Sequence, residues 1–228
     1  MKKPPAIQAD WPPILPGAAF LSFALCIRIA IPLAPELRPW FLELTALGGM
    51  AVILLTRRST KNSILKSLFG NTKSIWSLLP GLILGGVVVG IPLLADVFIG
   101  WTALSQDPLF AGAEGRVLDA APIGSQTILH VFLIEPFLGQ MIVLGICMAP
   151  WAHRVRSGLF LGISAGLFVL VLWDFSAAGL LTGAVSGLLL QRTGAISCGI
   201  VFQALSGLSG LLMVYVYPRS ITLLGFLL

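Results

Sequence analysis

Long apolar runs broken by short polar stretches organise the whole chain. A hydrocarbon core of about 30 Å is spanned by about 20 apolar helical residues, within a range of ~17–25. On that scale the runs 14–33, 40–55, 75–99, 127–150, 158–173, 176–190 and 195–216 predict seven membrane-spanning helices. Pro39 marks the start of the second run, Pro80 lies near the start of the third, and Pro92 is placed to kink it. The polar connections differ in character. Residues 57–74 form a basic loop, whereas 101–126 is rich in Gly and Pro and mildly acidic through Asp107, Glu114 and Asp119. Only Asp174 divides the two short runs inside 158–190, and a single long tilted helix there would reverse everything downstream. The expected fold is all-α: one transmembrane domain over 1–228, a polytopic helical bundle of about seven spans, with 1–13 as an N-terminal segment.

Composition supports lipid as the solvent. The chain is 57% hydrophobic and 10% charged, with a mean hydropathy of +0.98, where soluble domains carry about 25% charged residues. Most residues of a small water-soluble domain would touch its surface, so an apolar excess of this size has nowhere to go in water. The net charge of +5 does not mark a nucleic-acid protein, because the cations are segregated by loop. Lys2, Lys3, Arg57, Arg58, Lys61 and Lys66 fall on one side, which is the positive-inside pattern rather than a basic groove. With Lys2 and Lys3 cytoplasmic, alternation makes 57–74 cytoplasmic and 101–126 extracytoplasmic. All Lys and Arg except Arg38, Arg116 and Arg219 then lie inside or at membrane depth, which is the orientation expected in a bacterial inner membrane. The start, Met-Lys-Lys-Pro-Pro, has the charge of a signal peptide, but no small-x-small cleavage site follows the first run, so a retained span is expected. Cys26, Cys147 and Cys198 lie singly in apolar runs without ligand spacing, and read as packing residues. Neither a phosphate loop nor a dinucleotide fingerprint nor a zinc pattern is present, so no cofactor or metal is expected beyond a possible pigment or lipid contact.

The stretch 179–211, GLLTGAVSGLLLQRTGAISCGIVFQALSGLSGL, carries a family resemblance. It resembles the C-terminal helices of the CPBP family, the CAAX-protease and bacteriocin-processing membrane proteins. These have a Gly-rich helix, an Arg-Thr-Gly turn and a helix ending in His-Ala-x-x-Asn. Here the turn is Arg192-Thr193-Gly194 and the next helix carries Gln203-Ala204-Leu205-Ser206-Gly207. The family's Glu-Glu-x-x-x-Arg would fall on Glu135, Pro136 and Gln140, and its Phe-x-x-x-His on Phe168 and Leu172. Order and spacing of the three motifs match over roughly 75–215. The resemblance implies a CPBP-like bundle whose relatives activate a water for peptide hydrolysis within the membrane, with a carboxylate as base. Of the six polar positions involved, only Glu135 keeps its residue: Pro136 stands for the second Glu, Gln140 for Arg, Leu172 and Gln203 for His, and Gly207 for Asn. Gln and Leu cannot transfer protons at neutral pH. Gln140 and Gln203 can instead hydrogen-bond each other where that site would be.

Ionisable groups at membrane depth are costly, so each is a functional hypothesis. Arg28 is expected to pair with Glu43 or Glu135, or to bind an anionic lipid or partner carboxylate. Glu135 is a relic base or a structural carboxylate. His130 precedes it by five residues, roughly 140° round an α-helix, which puts the two on different faces. It reads as an interfacial hydrogen-bonded histidine, with a pigment or metal ligand as the sharper alternative. Asp174 is expected at the interface or as the N-cap of 176–190. The six tryptophans lie at span ends, as in an aromatic belt. Gly158, Gly162 and Gly166, and again Gly179, Gly183 and Gly187, recur every four residues, and both sets are expected to pack helices closely.

These residues lead to one expectation and two alternatives. The first is a non-catalytic CPBP-like protein acting as scaffold or accessory subunit of a larger membrane complex, its partners being lipids and other integral membrane subunits. The apolar end, 221–228, is expected to dock against another chain or lipid. The alternatives are an active intramembrane peptidase centred on Glu135, and a lipid-handling or transport protein using Arg28 and Glu135.

Overall fold

The computed structural model describes residues 75–102, 128–152, 155–172 and 175–227, together with Gly48, Leu68 and Gly124. The expected spans 14–33 and 40–55, the loops 57–74 and 101–126 (almost entirely), and the residues Arg28, Glu43 and Asp174 lie outside them. All elements among the described residues are helical: α1 (Leu79–Trp101, entered by a 3-10 turn Ile75–Leu78), α2 (His130–Met148), α3 (Ser157–Leu172), α4 (Ala177–Thr193), α5 (Ile196–Tyr215) and α6 (Pro218–Leu227). Three of them, α1, α2 and α5, are long and apolar enough to cross a membrane. The 16 residues of α3 and 17 of α4 rise only about 24 and 26 Å at 1.5 Å per residue. They are two helices rather than one long one.

Gly, Val and Pro would make α1 a weak helix in water. In lipid, helical hydrogen bonding is the only way for its backbone to be satisfied. Its large apolar side chains face outward, Leu82, Ile83, Val87, Leu94 and Val97 among them, with Trp76 71% and Trp101 85% exposed at its two ends. Twenty-five rises separate those rings, about 37 Å, which matches a hydrocarbon core plus part of each interface. The other face is narrow and mostly small. Gly81, Gly85, Pro92, Ala95 and Ile99 are buried, at spacings of four, seven, three and four that form one stripe.

That stripe packs on α5. A Cβ on Gly81 would lie 2.3 Å from the carbonyl oxygen of Cys198, and one on Gly85 would lie 2.5 Å from Leu205 Cδ1. The Gly81 N–H donates to Cys198 Sγ at 3.1 Å. Further along, Pro92 withholds the N–H that the Val88 carbonyl would accept in an unbroken helix. The Ser209 hydroxyl supplies the substitute, donating to Val88 O at 2.9 Å, so the proline is tolerated because a neighbouring helix satisfies the freed carbonyl. Contacts advance together along the two helices, so α1 and α5 run parallel.

α2 and α5 pair antiparallel, with Val131 against Gly207 and Gly145 against Ile196, and so do α3 and α4. α3 and α4 form a hairpin in which Ser164 Oγ donates to Gly183 O at 2.8 Å. The cap of α4 is Ser176 rather than Asp174. Ser176 is extended (φ −95°, ψ 159°) and its hydroxyl accepts the Gly179 N–H at 2.9 Å, because only the residue directly before Ala177 can reach that third N–H. The Arg192-Thr193-Gly194 turn joins α4 to α5. Gly194 takes φ +68°, which a side chain would strain, and its N–H donates to Leu190 O at 2.8 Å. Thr193 Oγ1 donates to Leu189 O at 2.7 Å and accepts the Ala195 N–H at 3.1 Å. The core lies between α2, α3, α4 and α5, around Ile142, Leu144, Phe160, Phe168, Leu190 and Ile196. The apolar end, expected to dock against another chain or lipid, forms α6 through Leu227, and α6 packs against α1 and α5.

Candidate functional site

The candidate site is built on α2, whose winding is unusual. A short α-helical segment, Glu135–Gln140, lies between two π-helical stretches, His130–Ile134 and Met141–Met148. Each stretch ends two residues before a proline, Pro136 and Pro150. In both cases the residue just before the proline closes the wide turn: Glu135 N–H donates to His130 O, and Ala149 N–H to Leu144 O. A proline ring clashes with the carbonyl four residues back and offers it no donor. Widening to an i→i+5 bond relieves that clash without breaking the helix.

The widened turn corrects one sequence expectation. At α-helical pitch His130 and Glu135 would sit on different faces. In a turn closed by i→i+5 bonds, residues five apart stand one turn above another, as i and i+4 do in an α-helix. Both are half-buried.

Beside this turn lies a half-open cavity of about 180 Å³ lined by Val131, Glu135, Phe168, Leu172, Ala178, Thr182, Gln203, Ser206 and Gly207. Each of α2, α3 and α4 contributes a pair four residues apart, and α5 contributes Gln203 with Ser206 and Gly207. The cavity thus gathers Glu135, Leu172, Gln203 and Gly207, which are separated by up to 72 positions in the chain. Leu172 is the last residue of α3 and Ala178 the second of α4, so the cavity lies near the end of the bundle where these two helices join. The α2–α5 contact that closes it needs glycine: a Cβ on Gly207 would lie 2.7 Å from Val131 Cγ1.

Gln140, on the far side of Gln203, is fully buried. Its Nε2 donates to Gln203 Oε1 at 2.8 Å and to Ser186 Oγ at 2.9 Å. The amide pair expected from the motif spacing is therefore formed, and it has a third member. The sequence reading missed Ser186; its position on the Gly183–Gly187 face of α4 was the only signal for it. Among the described residues Gln140 Oε1 has no hydrogen-bond partner, and it sits against Gly199, where a Cβ would come within 2.9 Å of it. The opposite amide orientation would bury two unsatisfied N–H donors there instead of one acceptor, at greater cost. Thr182 and Ser206 were also not singled out by sequence, and neither was Asp96, which is half-buried in α1.

Among the described residues lining the cavity, Glu135 is the one ionisable side chain. The two hydroxyls and one amide around it can hydrogen-bond a ligand but do not take up a proton at neutral pH. Among the described residues, no group of three or more His, Cys, Asp or Glu is placed to hold a metal ion. Cys147 and Cys198 are buried and free, as expected of packing residues, with Cys198 also accepting the Gly81 N–H. No family model, no curated protein and no solved structure matches the chain.

Proposed function

We propose that this chain is a CPBP-like integral membrane protein that binds rather than cleaves, serving as a scaffold or accessory subunit of a larger membrane assembly. The convergence of Glu135, Leu172, Gln203 and Gly207 on one cavity carries the reading, because three distant motifs are brought together with Glu135 alone left of their proton-transfer groups. The Gln140–Gln203–Ser186 network adds to it, since a fully buried amide held by two bonds fills space where mobile water and a base would have to work. In this reading the protein sits in a bacterial inner membrane with 57–74 cytoplasmic, and engages other subunits through helix faces and lipid. The outward face of α1 is the largest such surface among the described residues, with side chains exposed from Trp76 to Trp101.

A second reading, a diverged peptidase centred on Glu135, is favoured by one observation, the π-turn that sets His130 one turn from Glu135. One experiment separates the two. Purification of the native full-length protein in mild detergent is expected to bring down a stoichiometric membrane partner, and the purified chain alone is expected to leave membrane-embedded peptides intact. Cleavage that disappears on Glu135→Gln would overturn the binding reading in favour of the peptidase.

A further inference from the structure

The cavity has a polarity that follows from its neighbours. Gln140 donates both amide hydrogens, one of them to Gln203 Oε1. Gln203 therefore turns its acceptor inward and leaves its Nε2 donor for the cavity it lines. Ser206 gives its hydroxyl hydrogen to Phe202 O at 3.0 Å, so what it offers the cavity is lone pairs. Glu135 contributes carboxylate oxygens, which together have about four lone-pair sites and can take a further donor whatever else they touch. Thr182 adds a hydroxyl on the facing helix. The lining thus presents one amide donor beside a cluster of three acceptor side chains, framed by Val131, Phe168 and Leu172. At about 180 Å³ it has room for at least about six water-sized groups.

The geometry points to a binding site for a primary ammonium joined by a short linker to an anionic oxygen, the chemistry of an ethanolamine phosphodiester headgroup. Three N–H donors of the ammonium match Glu135, Thr182 and Ser206, and the Gln203 amide donates to the phosphodiester oxygen. The apolar walls favour the lipid over the free headgroup as its source. This deepens the proposal above, in which the cavity binds rather than cleaves.

The test uses the full-length protein in detergent, with thermal melting and native mass spectrometry as readouts. The ligands are dioleoyl phosphatidylethanolamine, dioleoyl phosphatidylglycerol and soluble phosphoethanolamine. The ethanolamine lipid is expected to raise the melting temperature and bind in one-to-one ratio, where the glycerol lipid with identical chains does neither. Soluble phosphoethanolamine is expected to compete with the ethanolamine lipid; if it stabilises equally well alone, the recognition stands and its source is the free headgroup. Ala178→Phe, placed at the exposed rim, is expected to abolish the preference by filling the cavity. Thr182→Val combined with Ser206→Ala is expected to weaken binding about tenfold, the loss of roughly two hydrogen bonds, and carries the test if Ala178→Phe melts below wild type without lipid. Equal stabilisation by both lipids, or a preference kept in both variants, overturns the proposal. Recovery of the bound lipid separates this from the function proposed above: a hydrolysed lipid would overturn the non-catalytic reading while leaving recognition intact.

Discussion

Two runs of glycine with the same spacing have opposite fates in this bundle. On α4, Gly183 and Gly187 press against α3: a Cβ on Gly183 would lie 2.5 Å from Phe168 Cβ and 2.9 Å from Ala165 Cα, and one on Gly187 would lie 2.7 Å from Ser164 Oγ. On α3, Gly158, Gly162 and Gly166 have no such neighbour within 4 Å among the described residues. The face of α3 that meets α4 is Phe160, Ser164 and Phe168 instead, all buried. Both runs are expected to hold the bundle together, and among the described residues only the α4 run does. A four-residue spacing places residues on one side of a helix but is silent on what that side meets. Close approach in lipid needs one small face and one shaped partner, and Ser164 strengthens the pairing by donating to Gly183 O across it.

The comparison can be broken most severely at Gly183. Gly183→Leu would drive a branched side chain into backbone atoms of α3, and the expected cost is roughly 1–3 kcal/mol or more, seen as a lower melting temperature and lower yield in detergent. A melting curve like wild type would mean that the α3–α4 contact is looser than described. An intermediate effect is expected where a serine mediates the other close helix pair. Ser209→Ala should cost about 1 kcal/mol by stranding the Val88 carbonyl. The same change should cost much less in a Pro92→Ala background, where the residue-92 N–H can take that carbonyl. Additivity in this double-mutant cycle would argue against the repair of the proline by Ser209. The smallest effect is expected at the open run. Gly162→Ala meets nothing within 4 Å, and should be neutral or stabilising by up to about 1 kcal/mol through helix propensity. A loss comparable with Gly183→Leu would show that this face is covered by something outside the described residues.

Much of the site was legible from spacing alone. The motif register placed Gln140 beside Gln203, and the 2.8 Å bond between them follows. It also put Glu135, Leu172, Gln203 and Gly207 in one group, which the cavity gathers. The relation of His130 to Glu135 was misread because an α-helical pitch was assumed across a proline. Pro136 was visible in the sequence, but whether a proline ends, kinks or widens a helix depends on the neighbours that hold the helix in place.

Sequence by itself determined where helices form. Apolar runs without competing polar structure must satisfy their backbones internally in lipid, and the observed bounds of α1, α3, α4 and α5 fall within about four residues of those expected. It also determined the turn at Gly194, whose positive φ favours a residue without a Cβ. Tertiary structure alone decided which glycine face is used, that Ser186 joins the glutamine pair, that Ser209 repairs Pro92, and that the last apolar residues fold back as α6. Each of these depends on a partner far away in the chain. A local pattern can require such a partner, since a buried carbonyl or amide must be satisfied, but only the packed bundle chooses which side chain supplies it.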